Sequence, residues 1–403
     1  MTKNYSSEPP PNPTSRPKVA VVHPGLGLGG SESPVLWTLE ALKDRCDVTL
    51  ITTGAVDLAA LNNYYGTHLK AEDFSVQCAP LPVGLRNTAK FVGLKGSFFQ
   101  RYVRRVAGNF DVMISCYGPM DFGRRGMQMI ADFAFVEEWR FSLHPGVRSW
   151  KQWWYGASPL RRLYLAMCWR INGASENGWK RNLNLANSDW SAKLLRENFG
   201  VESQTLYPPV ESDFPSVPFS ERDNGFVCLG RISAEKRVDA IIEILSRVRQ
   251  RGHDVHLHVL GGADDSPYGL RIKSLAEQNR DWVFLEGWAV GETKKKLLAS
   301  HKYGIHGREN EPFGIAVAEM VNAGCMVFVP KGGGQVEIVD NPALIFHNDA
   351  DAVDKIDTIL STRIGPANAL AHDTPVQNRF TSQNFVVQIQ EIVKNFLQEE
   401  KGN

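Results

Sequence analysis

The feature that most constrains this fold is a repeated order of short apolar runs, glycine-containing turns and segments of helical periodicity. The first case is the run Lys18–His23, followed by the loop 24–30 and by apolar residues at helical spacing after Ser31. Parallel strands require crossover connections of this kind. The pattern therefore predicts an α/β protein with parallel sheets.

The same alternation begins again after a polar, proline-punctuated stretch that ends near Asn224. The length of 403 residues also exceeds what one hydrophobic core normally serves. We therefore expect two Rossmann-like domains with a ligand crevice between them, and an amphipathic helix from about Thr381 to Gln398. The predicted strands are Lys18–His23, Cys46–Thr52, Phe110–Ser115, Ala131–Val136, Phe226–Gly230, Val255–Leu260, Trp282–Leu285, Tyr303–His306 and Met326–Val329.

Composition excludes several classes of protein. The 45 basic residues nearly cancel the 44 acidic ones, so no global field attracts nucleic acid. The six cysteines are scattered without a C-x-x-C pair, which predicts reduced thiols rather than a disulfide framework or a zinc site. Residues 1–16 are polar and read as a disordered leader without a signal peptide, and no later window has the apolar length of a membrane span. These observations favour a cytoplasmic protein.

Two cations follow the predicted strand Phe226–Gly230. Arg231 and Lys236 lie where ligands of open α/β sheets bind, just beyond the carboxyl end of a strand. A guanidinium and an ammonium at that place can hold two phosphates and neutralise the charge of a departing diphosphate. The alternative is a pair of solvated cations on a loop.

Two carboxylates, Glu311 and Glu319, are separated by seven residues. A helix that starts near Phe313 would direct the backbone N–H groups of Gly314 and Ile315 at an anion, while the carboxylates accept from sugar hydroxyls. The alternative is an acidic helix opening that complements the helix dipole.

Glycine-rich loops provide weaker signals. The loop that contains Gly29 and Gly30 allows close backbone approach to a phosphate or an acceptor, or it is simply a tight strand-to-helix turn. The turn Lys331–Gln335, with Glu337 after it, has the same two interpretations. The tract 148–170 mixes indoles with cations, which suits either a carbohydrate acceptor and a membrane interface or a core-facing helix with snorkelling arginines.

Taken together, these motifs resemble the retaining glycosyltransferases of family 4, which have the GT-B fold. The resemblance extends from Lys18 to about Phe396, and the E-x7-E element after the Arg/Lys pair is its most specific part. Three segments, Asn187–Ser188, Tyr207–Pro209 and Phe313–Ile315, are similar to the branch of ALG11-type α-1,2-mannosyltransferases, which use GDP-mannose. Related bacterial enzymes with similar strings use UDP-sugars.

The resemblance implies a GT-B architecture in which two Rossmann-like domains with parallel sheets face an interdomain cleft. The expected units are the leader 1–16, an acceptor domain 17–212, a nucleotide-sugar domain 213–380 and a terminal helix 381–403 that crosses back to the first domain. The implied reaction moves a hexose, with retention, from a nucleoside diphosphate sugar to a glycan, lipid-linked or small-molecule hydroxyl. It needs no metal or other cofactor, and the protein stays cytoplasmic or peripheral at the membrane.

Within that architecture each motif residue has an implied role. Arg231 and Lys236 hold the donor diphosphate. Glu319 holds the ribose, and Glu311 with the backbone of Phe313, Gly314 and Ile315 holds the transferred sugar. Trp288 lies beside the base, while Gly29 and Gly30 approach the phosphate or the acceptor from the other domain.

One departure from the family concerns the place where many relatives have a histidine. Here Glu137–Arg140 stands instead, which makes Glu138 a candidate for positioning the acceptor or the sugar, with His144 as its rival. The alternative is that Glu137 and Glu138 are ordinary loop carboxylates. Two other functions stay open: a nucleotide-sugar epimerase or hydrolase, which would convert the donor alone, and a catalytically silent glycan-binding protein. The intact motif residues argue against the silent protein.

Overall fold

The computed structural model describes residues 16–86, 88, 90–133, 135, 159–362 and 379–402. These residues form two α/β units, each built on one sheet, and every strand pair is parallel. The predicted fold class is therefore confirmed. The strands are β1 Lys18–Val22, β2 Asp47–Thr52, β3 Ser75–Cys78, β4 Val112–Ser115, β5 Met127–Ile130, β6 Leu183–Ala186, β7 Gln204–Thr205, β8 Asp223–Leu229, β9 His256–Leu260, β10 Val283–Gly287, β11 His301–Ile305, β12 Met326–Pro330 and β13 Ile345–Phe346.

Helices connect the strands as crossovers. Most carry an apolar stripe, such as Ile241, Ile242, Leu245 and Val248, that packs on the sheet. The helices, numbered along the described chain, are α1 Ser33–Leu42, α2 Leu58–Tyr65, α3 Val83–Arg86, α4 Val92–Val106, α5 Pro159–Asn172, α6 Asp189–Phe199, α7 Val238–Gln250, α8 Pro267–Gln278, α9 Gly291–Ser300, α10 Ile315–Asn322, α11 Gln335–Val339, α12 Asp349–Thr362 and α13 Ser382–Gly402.

Strand order fixes where a ligand can bind. The first sheet has the order β3-β2-β1-β4-β5-β6-β7 and the second the order β10-β9-β8-β11-β12-β13. In both sheets the strand order reverses beside the first strand, at β1 and at β8. A crevice opens outside the carboxyl ends at such a switch point. The loops that follow β1 and β8 are the glycine loop and the segment with Arg231 and Lys236.

The last helix belongs to the core of the first domain although it follows the second. One face of α13 is fully buried with residues of α1 and the first sheet, and Gln390 Nε2 donates a hydrogen bond to the carbonyl of Ala41 at 2.6 Å. None of the helices in the described ranges has the length and apolar character that crossing a bilayer requires. The buried residues of α13 are Phe385, Ile389, Ile392, Val393 and Phe396.

One predicted strand is wrong. Residues 131–133 and 135 are not in a strand, and the strand of this region is β5, directly before them. The polar residue Gln128 interrupts the apolar run of β5, so the sequence pattern did not indicate a strand there. In the structure Gln128 is fully buried, and its amide donates to Asn184 Oδ1 at 2.6 Å and to the carbonyl of Trp179 at 3.1 Å. The short strands β3, β6, β7 and β13 were also missed.

Candidate active site

Lys236 reaches the carboxyl edge of the second sheet through a sharp turn after β8. Gly230 has a φ of +133°, which favours glycine, and the chain bends again through residues 234–236 before α7 begins. The Lys236 ammonium donates a hydrogen bond to Glu311 Oε2 at 2.7 Å. A positive charge is thereby fixed at the switch point.

Glu311 is the centre of a buried network of charges. His306 Nε2 lies 3.2 Å from Glu311 Oε2, and Arg308 donates to Oε1 at 3.2 Å. Burial alone raises the pKa of the Glu311 carboxyl, but Lys236, His306 and Arg308 outweigh burial and lower this pKa well below its usual range. Burial also lowers the pKa of His306. Glu311 is therefore ionised at neutral pH, and both of its oxygens have protein partners.

Arg231 is exposed, whereas Lys236 is largely buried. Its side chain is 70% exposed, and its guanidinium lies 3.7 Å from the Glu235 carboxylate. An exposed ion pair of this kind contributes roughly 0–1 kcal/mol. Arg231 can therefore exchange Glu235 for a phosphate at little cost, whereas Lys236 is already positioned.

Helix α10 carries the second carboxylate. It begins at Ile315, so the predicted start near Phe313 is two residues early; the reason is that Gly314 has a φ of +104° and cannot be part of the helix. Glu319 lies in the second turn and accepts a hydrogen bond from Lys294 at 2.9 Å. The ring of Phe313 is buried against Tyr207 and Phe380, so only its backbone can face a ligand.

The glycine loop of the first domain faces α10. A Cβ atom at Gly30 would lie 3.6 Å from Ile315 Cδ1. The Gly29 N–H donates to the hydroxyl of Tyr65 at 2.8 Å, which ties the loop to α2. The neighbouring Tyr64 is close enough to Lys294 and Glu319 for their charges to affect its pKa, which burial raises. The two sets of predicted residues therefore approach each other from opposite domains.

A second set of contacts between the two domains involves residues just after β6 and residues near α10 and α11. Ser188 Oγ, just after β6, donates to the carbonyl of Pro312 at 2.6 Å. The Glu337 carboxylate accepts from the N–H groups of Asp189 and Trp190, the first residues of α6, at 3.0 and 2.7 Å. Glu337, which lies in α11, therefore caps a helix of the other domain and has a structural role in the interface.

Trp288 follows β10 at the same edge of the second sheet. Its side chain lies against the backbone of Gly262, where an added Cβ would be 2.1 Å from the indole Nε1. The residue remains 61% exposed. An indole that is backed by glycine and open to solvent suits the predicted position beside a base.

Several residues of the site have little or no recognisable signal in the sequence. Lys294, His306 and Arg308 are hydrogen-bonding partners of the two carboxylates, and only the short spacing from His306 to Glu311 could have indicated two of them. His23 follows β1 and is buried. The Gly25 N–H donates to its Nδ1, so the proton of the imidazole is on Nε2. Among the described residues, Nε2 has no hydrogen-bond partner. The candidates Glu138 and His144, with the aromatic tract 148–155, lie outside the described residues.

Comparison with known proteins identifies relatives of this chain. Residues 209–373 match the family described as Glycosyl transferases group 1. The human alpha-1,3/1,6-mannosyltransferase ALG2 is 26% identical over 430 aligned residues, which cover 95% of this chain and 97% of the human protein. The GDP-Man:Man(3)GlcNAc(2)-PP-Dol alpha-1,2-mannosyltransferase of Candida glabrata is 27% identical over 168 aligned residues, which cover 37% of this chain and 33% of the Candida protein.

A solved structure has the same architecture. Anabaena Alr3699/HepE, in complex with UDP, superposes with a TM-score of 0.65 at 15% sequence identity, and the match covers 94% of this chain and 100% of that chain. At this identity the likeness establishes the fold, while the sequence relatives establish the class of enzyme.

Proposed function

We propose that this chain, a hexosyltransferase with the GT-B fold, transfers a mannosyl group from GDP-mannose to a mannose hydroxyl of a glycan carried on a lipid diphosphate. The observation that carries the transferase chemistry is the Lys236–Glu311 pair at the switch point of the second sheet. The choice of mannose is supported by the human and Candida relatives, whose names specify mannosyl transfer. The Candida name also specifies GDP-Man and a PP-Dol glycan.

The proposed reaction retains the anomeric configuration. The bond between the sugar C1 and the phosphate oxygen breaks while the acceptor oxygen bonds to C1 from the same face, and the acceptor proton passes to the departing phosphate. Lys236 and Arg231 stabilise the negative charge that develops on the diphosphate. Two cations supply this compensation, so we expect turnover without a divalent metal. Closure of the glycine loop over α10 would exclude water.

A lipid-linked acceptor is supported by an exposed apolar surface on the first domain, which we call the α5 surface. It consists of Leu160, Leu163 and Met167 on α5, together with Phe91 and Val92 at the start of α4, and these side chains are 44–69% exposed. The hydroxyl of Tyr164 accepts from the Leu94 N–H at 2.9 Å and joins the two helices. Exposed Arg162 and Arg170 flank the surface. Apolar side chains next to cations suit an anionic membrane.

A product assay tests the proposed donor and acceptor. The purified protein is incubated with a mannose-terminated lipid diphosphate glycan and, in separate reactions, with GDP-mannose, UDP-glucose, UDP-GlcNAc or ADP-glucose. Mass spectrometry should show one added hexose with GDP-mannose alone, and NMR should show an α linkage. Transfer from a UDP-sugar instead would refute the proposed donor. Conversion of GDP-mannose at the same rate without acceptor would favour the epimerase or hydrolase.

A vesicle assay tests the proposed membrane contact. The double change Leu160→Glu and Leu163→Glu should reduce co-sedimentation with anionic phospholipid vesicles several-fold, because each change replaces an apolar contact with a negative charge. Val387→Glu, at a residue that is 52% exposed on α13, is the control and should bind like wild type. Equal binding of all three proteins would remove the membrane from the proposal.

A further inference from the structure

Three histidines of the second domain come together far from the Lys236–Glu311 pair. His256 and His258 lie on β9, and His301 is the first residue of β11. One potential ligand atom from each lies within 4.8 Å of the other two. His256 and His301 open their strands, so the cluster lies toward the amino ends, whereas the proposed donor site lies at the carboxyl ends. The cluster is therefore separate from the transferase chemistry.

A glycine allows these histidines to meet. Strand β8 runs between β9 and β11, and its residue Gly225 pairs with His256. A Cβ atom at Gly225 would lie 2.2 Å from His256 Nε2. The missing side chain thus lets the His256 ring lie across β8, where its Nε2 is 3.1 Å from Nε2 of His301.

Hydrogen bonds orient two of the rings for metal binding. His301 Nδ1 lies 2.7 Å from the carbonyl of Leu297, which can only accept, so Nδ1 carries the proton and Nε2 has a free lone pair. His258 Nδ1 lies 2.6 Å from the Glu286 carboxylate, which can only accept, so Nδ1 carries a proton and Nε2 is the nitrogen that can bind a metal. Metal-binding histidines usually donate their second N–H to a carbonyl or a carboxylate.

We propose that His256, His258 and His301 bind one Zn²⁺ ion, with water as the fourth ligand and Glu286 orienting His258. Two nitrogens on a tetrahedral zinc, each at about 2.0–2.1 Å, lie roughly 3.3 Å apart. The separation of 3.1 Å between His256 and His301 is close to this value. The ion links β9 to β11 across β8, and its effect is to stabilise the second domain.

Calorimetry tests this site directly. Protein without a histidine tag is stripped with EDTA, dialysed and titrated with ZnCl₂. One ion should bind per chain, and the melting temperature should rise as zinc is added, because the ion binds the folded state. His258→Gln, which removes a ligand on the partly exposed side, should weaken zinc binding at least about 100-fold, and Glu286→Gln should weaken it about 10–100-fold.

Two further variants make the result specific. His347→Gln changes an exposed histidine of the same domain and should bind zinc like wild type. Gly225→Ala places a methyl group against the His256 ring and should weaken zinc binding while all three histidines remain. Circular dichroism of the metal-free proteins shows which variants are folded.

Other outcomes would overturn the site. Absence of zinc binding would leave the cluster as an imidazole–imidazole hydrogen bond between β9 and β11. Equal zinc affinity in wild type and folded His258→Gln would place the ion elsewhere. Mannosyl transfer, assayed below the melting temperature, should be the same with and without zinc, so failure of the zinc proposal is independent of the proposed transferase activity.

Discussion

At the scale of single residues, the site depends on charges that the protein has already paired. Lys236 is fixed by Glu311, and Glu311 is in turn held by His306 and Arg308. Removing one partner from a buried pair leaves an uncompensated charge, which costs far more than the pair contributes. Glu311 therefore acts as the residue that positions Lys236 as well as a candidate sugar contact.

The change Glu311→Gln should lower the free energy of unfolding by about 3–5 kcal/mol at pH 7, because Lys236 and Arg308 lose their anion. Urea denaturation monitored by fluorescence measures this loss. The control is Glu309→Gln, since Glu309 pairs with Arg237 at 3.0 Å but its side chain is 62% exposed. That change should cost less than about 1 kcal/mol. Equal losses would contradict the buried network.

The pH dependence of this difference has a defined sign. The carboxyl titrates near 4.5 when unperturbed, and folding lowers its pKa well below that value. Its contribution to stability is therefore complete above about pH 4.5 and is lost as the pH falls toward the folded pKa. The stability gap between wild type and Glu311→Gln should accordingly shrink as the pH falls below about 4.5, and a constant gap would show that the carboxyl is not the source.

Arg231 permits a test of catalysis with little effect on folding. Arg231→Ala should reduce kcat for mannosyl transfer by roughly 10²–10³-fold, because a cation that faces the leaving diphosphate is lost. Arg280→Ala is the matched control, since Arg280 is 78% exposed and pairs with Glu277 at 3.4 Å, much as Arg231 pairs with Glu235. Melting temperatures of both variants should stay near wild type. Unchanged kcat in Arg231→Ala would remove this residue from the mechanism.

At the scale of elements, one glycine decides where a helix begins. The positive φ of Gly314 stops the chain from entering α10 until Ile315, which sets the direction of the first N–H groups of that helix. The buried ring of Phe313 anchors the turn from the other side. The start of this element therefore presents backbone N–H groups to the cleft, together with the side chains of Ile315 and Glu319.

The change Gly314→Ala should lower stability by about 1–3 kcal/mol and weaken donor binding, measured by calorimetry with GDP-mannose. The new Cβ would lie 3.3 Å from Val317 Cγ2, and the backbone has to move to relieve the strain. Gly252→Ala is the control, because Gly252 has a φ of +98° with open space around it. It should lose similar stability without any loss of donor affinity. Parallel effects in both variants would argue that α10 does not bind the donor.

At the scale of the whole molecule, α13 makes the first domain depend on the end of the chain. Its apolar face completes the first core, and Arg125 pairs with Glu399 and Glu400 at 2.9 and 3.1 Å. Along the chain, the second domain thus lies between two segments that both contribute to the core of the first domain.

The change Phe396→Ala should cost about 3–5 kcal/mol in the stability of the first domain, because the ring is fully buried among its residues. Val387→Ala on the same helix, at a site 52% exposed, should cost less than about 0.5 kcal/mol. Hydrogen exchange followed by mass spectrometry would locate the loss. Faster exchange in β8 to β13 rather than in β1 and α1 would contradict this assignment.

Local sequence predicted the elements whose signals are local. Continuous apolar runs indicated β1, β2 and β8, since strands buried on both faces of a parallel sheet need apolar residues at every position. The E-x7-E spacing indicated a carboxylate before a helix and another in its second turn, because that relation is set by helical rise alone. Local sequence failed to predict β5, because the buried amide of Gln128 has partners, such as Trp179, Asn182 and Asn184, that lie more than 50 residues further along the chain.

The partners of each charge were decided by tertiary structure. Nothing in the sequence between residues 236 and 311 indicates that Lys236 reaches Glu311, or that Lys294 reaches Glu319, because those contacts depend on the order in which strands assemble. The same holds for His256 and His301, which meet only because β8 carries Gly225 between them. Periodicity and residue types can be read directly from the order of amino acids. Distances between segments far apart along the chain, and therefore burial and pKa, were decided by the packing of the sheets.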